Sequence, residues 1–284
     1  MRTFETPEPV IATIDVSARH VTLRASERSD TVVEVTPTDP SDDADVRAAE
    51  QTMVTCIRGK LAVKGAKRRK ATLFGRGPSV DVLVQLPYDS TVNVESWGEV
   101  TGEGRLGDTR VQTAVGPVRL EETGPTRLRT AAGDITVAEV HGDADVSTAS
   151  GDVRIGAVDG AATVKTSNGD LELGEVTGDL GLRSANGDIT VDRAHAGLRA
   201  KTARGDVRIG EAVRGPVEMH TTFGDLEVGV RSGPAVWLDV SAGAGSVRSE
   251  LDPSDRPGPG DDTIEIRGRT GFGDVVVRRA VAQP

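Results

Sequence analysis

Gly followed by Asp and then an aliphatic residue returns at a fixed interval through the middle of this 284-residue chain. The instances are Gly133-Asp134-Ile135, Gly151-Asp152-Val153, Gly169-Asp170-Leu171, Gly187-Asp188-Ile189 and Gly205-Asp206-Val207, followed by Gly224-Asp225-Leu226 and Gly273-Asp274-Val275. The first five glycines are each 18 residues apart, and Gly224 comes 19 further on. Degenerate copies at Gly98-Glu99-Val100, Gly116-Pro117-Val118 and Gly245-Ser246-Val247 extend the register. Self-similarity of this period means stacked units, none of which can bury its apolar face alone.

Within each unit the apolar positions alternate. Two and four residues after the Gly stand Ile135/Val137, Val153/Ile155, Leu171/Leu173, Ile189/Val191 and Val207/Ile209, which is a strand with one buried face. A second turn near Gly142, Gly160, Gly178 and Gly197 leads to a second alternating set: Ala144/Val146/Thr148, Ala162/Val164/Thr166, Leu180/Leu182/Ser184 and Leu198/Ala200/Thr202. Each unit is therefore two short strands and two turns. An antiparallel meander would set equivalent strands two apart, whereas a solenoid stacks them in parallel ladders about 4.8 Å apart. Like residues at like positions favour the solenoid, with Thr148, Thr166, Ser184 and Thr202 as an inward ladder. The left-handed hexapeptide helix is excluded, because six and twelve residues beyond Val153 stand Asp159 and Lys165.

The expected fold is thus all-β, a β-solenoid of roughly ten coils over residues 1–284 as a single domain. Residues 1–96 form an irregular entry region, 97–250 the regular coils, and 251–284 a protruding loop with a closing coil. Strands are expected at 10–16, 20–25, 31–36, 52–58, 60–64, 80–86 and 91–95, and one short helix over Asp42–Gln51, whose acidic start suits the helix dipole. Aromatics are only 2%, which suits a thin interior of Val, Ile, Leu, Ala and Thr. Both ends need caps, because an open strand edge invites association.

The segments Ser79-Val-Asp-Val-Leu-Val-Gln-Leu-Pro87, Gly174-Glu-Val-Thr-Gly-Asp-Leu180, Asn186-Gly-Asp-Ile-Thr-Val-Asp-Arg-Ala-His195 and Thr270-Gly-Phe-Gly-Asp-Val-Val-Val277, with the opening Thr3-Phe-Glu-Thr-Pro-Glu-Pro9, resemble a bacterial "putative adhesin" family, a domain of unknown function. The resemblance runs over nearly the whole chain. It implies a β-solenoid, no established enzymatic activity and no agreed functional residues.

Charge narrows the function classes. With 44 acidic against 34 basic residues the formal net charge is −10, which repels nucleic acid at long range. No apolar run reaches the length of a membrane helix, and the start shows no secretory cleavage pattern, so a cytoplasmic location is expected. Cys56 is the single cysteine, excluding an internal disulfide and a Cys-based metal cluster.

Candidate sites are few. The stacked Asp134, Asp152, Asp170, Asp188 and Asp206 need compensation, either from calcium or, more simply, from backbone N–H groups of their own turns. An outward position on the second strand carries Arg129, Ser147, Lys165, Arg183, Lys201 and His220, so Lys165, Arg183 and Lys201 make a basic stripe. The loop from Lys64 to Gly77 holds Lys67, Arg68, Arg69, Lys70 and Phe74, a basic segment with an apolar tip. Both are candidate interaction surfaces beside the plainer reading of solvated charge. On the first strand Arg154 should pair with Glu172 and Arg208 with Glu227 across adjacent coils. His141 and His195 recur at one coil position but too far apart to share a metal, and His20 and His220 have no partner in the sequence.

No nucleophile motif or phosphate loop is present, and no cofactor or metal is expected. The reading is a non-enzymatic, adhesin-like or scaffold module presenting flat ladders to an unknown protein or polymer partner, not nucleic acid. Alternatives are a self-assembling, bactofilin-like β-helix associating end to end and, less well supported, a β-helical carbohydrate-active enzyme.

Overall fold

The computed structural model describes residues 1–65, 77–251 and 263–280. Two units are distinguished, Met1–Val137 and Ala138–Pro284. Both are all-β solenoids whose coils contribute one strand to each of two sheets.

The second unit carries the regular repeat. Strands Val153–Val158, Leu171–Val176, Ile189–Ala194, Val207–Ala212 and Leu226–Val230 pair in parallel, with Val153, Leu171 and Ile189 in register on immediately neighbouring strands. Strands Ala144–Ser150, Ala162–Lys165, Leu180–Arg183, Leu198–Lys201 and Val217–Phe223 form the second ladder, also parallel. Leu171, Ile189, Val207 and Leu226 are fully buried, as alternation requires.

The Thr/Ser ladder faces inward and has a specific task. Thr166, Ser184, Thr202 and Thr221 are buried, and each hydroxyl donates to the glycine carbonyl one coil below: Gly151, Gly169, Gly187 and Gly205, at 2.9–3.3 Å. Each coil corner is thereby tied to its neighbour and a buried polar group is satisfied.

Chain order and stacking order part company at the end of this unit. The sequence places a protruding loop and the closing coil within 251–284. Instead strands Thr263–Phe272 and Val275–Arg279 insert between the coil of Val217–Val230 and that of Ala235–Ser249. The outermost coil is thus Ala235–Ala244 with Val247–Ser249. The hydroxyl of Thr270 accordingly reaches the Gly224 carbonyl, at 2.8 Å. The same motif marks each coil, so nothing in it specifies which copy stacks on which.

The first unit shows the same exchange. Strands Ile11–Asp15 and Ala18–Ser26 lie between the coil of Lys60–Lys64 and Val80–Pro87 on one side and that of Thr91–Glu95 and Glu99–Leu106 on the other. Antiparallel strands seal the outer coil. Asp30–Pro37 covers Val80–Pro87, Arg2–Glu5 covers Asp30–Pro37, and Met53–Ile57 covers Lys60–Lys64. The turn into that last hairpin is Arg58-Gly59, both at positive φ, as a tight hairpin requires. Leu61, Val63, Val82 and Val84 are consequently buried.

Among the described residues one helix, Asp43–Gln51, joins the two sealing strands. Asp42 caps it, its side chain accepting from the Ala44 N–H at 2.7 Å. The buried Asp45 carboxylate accepts from the Ser79 N–H at 2.7 Å and the Asp39 N–H at 3.1 Å, fixing the helix to the chain on either side.

Candidate interaction surface

The turn aspartates are the first group whose surroundings can be read. From Asp152 onward, six of them accept a backbone N–H from the next coil. Asp152 takes Asp170 N–H, Asp170 takes Asp188, Asp188 takes Asp206, Asp206 takes Asp225, Asp225 takes Asp274, and Asp274 takes Ser246, all at 2.7–2.9 Å. This corrects the expectation of bonds within the turn. A Gly at each corner lets the neighbouring coils approach closely enough for the carboxylate to bridge the gap. The Ser246 N–H is the leading cause that holds the Asp274 carboxyl below its ordinary value. Among the described residues no group of three or more His, Cys, Asp or Glu side chains is placed to hold a metal.

On the outer face of the first ladder, Arg154 pairs with Glu172 at 2.9 Å as expected. Arg208 does not pair with Glu227. It bonds Asp206 at 2.5 Å, and Glu227 takes Arg278 at 2.7 Å from the inserted coil. Histidines acquire partners the sequence left unseen. His195 bonds Glu175 at 2.6 Å, and in the first unit His20 bonds Asp81 at 3.0 Å with Glu99 at 4.0 Å. His20 and Asp81 line a hollow of about 230 Å³ with Thr22, Glu34 and Thr36. Burial pushes the Cys56 thiol up, which keeps it a poor nucleophile.

The second ladder presents the surface of interest. Its register aligns Ser147, Lys165, Arg183, Lys201 and His220, then Arg269, then Ser241. Lys165, Arg183 and Lys201 therefore do form one lane, and the inserted coil adds Arg269. Sequence order hides Arg269, since it implies Ser241 as the next member. At about 4.8 Å per strand, the lane from Lys165 to Arg269 is about 19 Å long. Among the described residues, Lys165 and Arg183 form no ion pair and are exposed. Arg129, the upstream member of the sequence pattern, belongs to the first unit. Lys67, Arg68, Arg69, Lys70 and Phe74 lie outside the described residues.

Flanking positions shape this lane. Two residues on, the side chains are small: Ser167, Ala185, Ala203, Thr222 and Gly271. Beyond them runs a corner ladder of Asn168, Asn186, Arg204, Phe223 and Phe272. Asn186 donates to Asn168 at 3.0 Å, and the exposed Phe223 and Phe272 rings stack with centroids 5.0 Å apart. On the other side Glu218 clamps Lys201 at 2.8 Å and Arg199 at 2.7 Å, and Asp239 lies 3.7 Å from Arg269. The lane is flat, cationic and open along one side.

The Lys201 hydrogen bond, followed by that of Arg199, holds the Glu218 carboxyl down at about 2, against an ordinary 4.5. A carboxyl depressed by folding stabilises the folded chain above its ordinary value, and that contribution is lost as pH falls from 4.5 towards 2. The pair is about one-third exposed, so solvent screening keeps the effect small. Glu218→Gln is expected to lower the melting temperature at neutral pH and to match wild type near pH 2. A deficit that stays constant between these limits in thermal melts contradicts the clamp.

In-register inward ladders and outward lanes of like residues define a β-solenoid repeat fold. The chain belongs to the Toastrack DUF4097 family, whose model matches residues 12–253. No curated protein matches it. Among solved structures it is similar to a "putative adhesin" of Bacteroides fragilis NCTC 9343 (11% identity, 97% of this chain and 95% of that chain, TM-score 0.35). It is also similar to a "putative lipid binding protein" of Parabacteroides distasonis ATCC 8503 (11%, 96% and 95%, 0.39) and a "putative adhesin" of Parabacteroides merdae ATCC 43184 (10%, 98% and 94%, 0.36). At such identities the likeness carries no information about ligands. Among the described residues no helix is long and apolar enough to cross a membrane.

Proposed function

We propose that this chain is a non-enzymatic, adhesin-like module that holds an extended anionic polymer along the lane of Lys165, Arg183, Lys201, His220 and Arg269. The observation that carries this reading is the uncommitted pair Lys165 and Arg183 at the head of an aligned cationic lane, on a chain whose net charge is −10. Local cations against an acidic background discriminate by position. A polymer with charges repeating near the strand spacing meets successive side chains, while one lying elsewhere meets repulsion. The small residues beside the lane leave room for a polymer backbone, and Phe223 and Phe272 offer an apolar face at one end.

Binding of the full chain to polygalacturonate, followed by calorimetry at several salt concentrations, tests the proposal. Affinity should fall as salt rises, as ion release dictates for a polyanion. The triple variant Lys165→Glu, Arg183→Glu, Lys201→Glu should bind about tenfold more weakly or worse, equivalent to about 1.4 kcal/mol. Equal affinity of variant and wild type refutes the lane as the site. Absence of wild-type binding to polygalacturonate and to a sulfated polysaccharide refutes the ligand class.

A further inference from the structure

We infer that His220 makes the cationic lane respond to pH: acidification adds a charge within the lane and tightens its hold on an anionic polymer. The inference rests on the lane being the binding surface and concerns what regulates it.

Register places His220 directly between Lys201 and Arg269 on the neighbouring strands. Its imidazole is exposed and, among the described residues, forms no hydrogen bond or ion pair. Both neighbours are already answered by carboxylates. Glu218 takes Lys201 at 2.8 Å, and Asp239 lies 3.7 Å from Arg269. His220 thus joins Lys165 and Arg183 as a lane position with no carboxylate partner among the described residues, and it alone can change its charge near neutral pH. Histidine side chains take up their proton between about pH 8 and pH 5.

The other charged groups around the imidazole leave that change to His220. Strand Leu198–Lys201 brings Arg199 beside Lys201, and strand Thr263–Phe272 brings Arg267 beside Arg269, with Arg267 engaged by Glu265. Arg204 stands at the corner, in register with Phe223. Glu218, on the same strand as His220, is held at about 2 by Lys201 and Arg199 and so stays ionised throughout this range. Strands Val207–Ala212 and Leu226–Val230 carry Arg208 and Glu227 on the other sheet, where they bond Asp206 and Arg278. In the free chain a charge on His220 is repelled by Lys201 and Arg269. A polymer lying over the lane offsets that repulsion, so protonation and binding favour each other. Polymer carboxylates ordinarily titrate below this range, which leaves the change to the protein.

Calorimetry of the full chain with polygalacturonate and with dextran sulfate, at about pH 8 and about pH 5.5, tests this. Affinity should rise about threefold on acidification, the worth of one exposed charge pair. His220→Gln should abolish the rise, and His220→Lys should give one affinity at both pH values. His195→Gln, at a residue bonded to Glu175 at 2.6 Å, should leave the rise intact. Wild-type titrations near pH 6.5 in buffers of different ionisation heat should show proton uptake on binding. A rise that persists in His220→Gln, a wild-type affinity indifferent to pH, or binding without proton uptake overturns the inference. The lane itself stands in those cases if the triple variant Lys165→Glu, Arg183→Glu, Lys201→Glu still binds more weakly. Absence of polymer binding at both pH values, or binding indifferent to the triple variant, overturns the lane and this inference with it.

Discussion

Gly187→Ala is expected to destabilise the second unit by about 3 kcal/mol or more, among the largest single-residue effects this chain can show. Gly187 opens a repeat at φ +144°, a backbone conformation that residues with a Cβ rarely adopt. A Cβ there lies 2.0 Å from the Gly169 carbonyl oxygen and 2.5 Å from its carbon. Both are backbone atoms of the adjacent coil, so no side chain can swing away to relieve the clash. Relief requires the coils to separate, which stretches the Asp188-to-Asp170 and Ser184-to-Gly169 bonds at the same corner. The contrasting position is Gly181, in the middle of the second ladder. Its φ is ordinary and the nearest atom to an added Cβ is the Thr163 hydroxyl at 3.8 Å. Gly181→Ala should change stability by no more than about 0.5 kcal/mol, or raise it slightly by restricting the unfolded chain. Urea titrations followed by circular dichroism compare the two. Equal effects at both positions would remove coil contact at the corner as the reason for the repeated glycine.

The second large effect concerns the interior. Leu171→Ala is expected to cost about 2–5 kcal/mol. Leu171 is fully buried and lies in register between Val153 and Ile189. The ladder hydrogen bonds on both sides fix the strand spacing, so the cavity left by the side chain cannot collapse by drawing the coils together. Stacking also dictates how mutations combine. Ile189→Ala added to Leu171→Ala should be non-additive by about 0.5 kcal/mol or more, because the two side chains touch, while Val228→Ala should add independently. Simple additivity of the Leu171 and Ile189 variants would mean that neighbouring coils do not share an interior. Repeat proteins can unfold in segments, so both sets are best read against hydrogen exchange at the affected coils.

Much of this was legible because a solenoid repeats its physics. Alternation at Val153/Ile155 and Leu171/Leu173 marked the buried face, the eighteen-residue period put like beside like, and Thr166, Ser184 and Thr202 were readable as inward-facing. The helix beginning at Asp43 was marked by its acidic cap. The cationic lane was partly legible. Lys165, Arg183 and Lys201 follow from the period, yet Arg269 does not, since 28 residues separate Gly245 from Gly273 and the spacing gives no hint of exchange. The pairing of Arg208 with Glu227 failed for the same cause, because Glu227 found Arg278 on a coil that sequence order places further away. His20 drew Asp81 and Glu99 from strands far along the chain, and no local pattern announces such meetings.

Residue order alone settled what one coil is: two strands, an apolar inner side, a glycine-bearing corner and a carboxylate beside it. Which coil lies on which was settled in three dimensions. Equivalent coils expose nearly interchangeable ladders, so the local pattern stabilises several neighbours almost equally. The difference is made by long-range terms, namely how connecting segments close and which arrangement buries the last apolar row. That is why residues 263–279 sit beneath 235–249, why Arg269 joins the lane, and why an open edge stands at Ala235–Ala244.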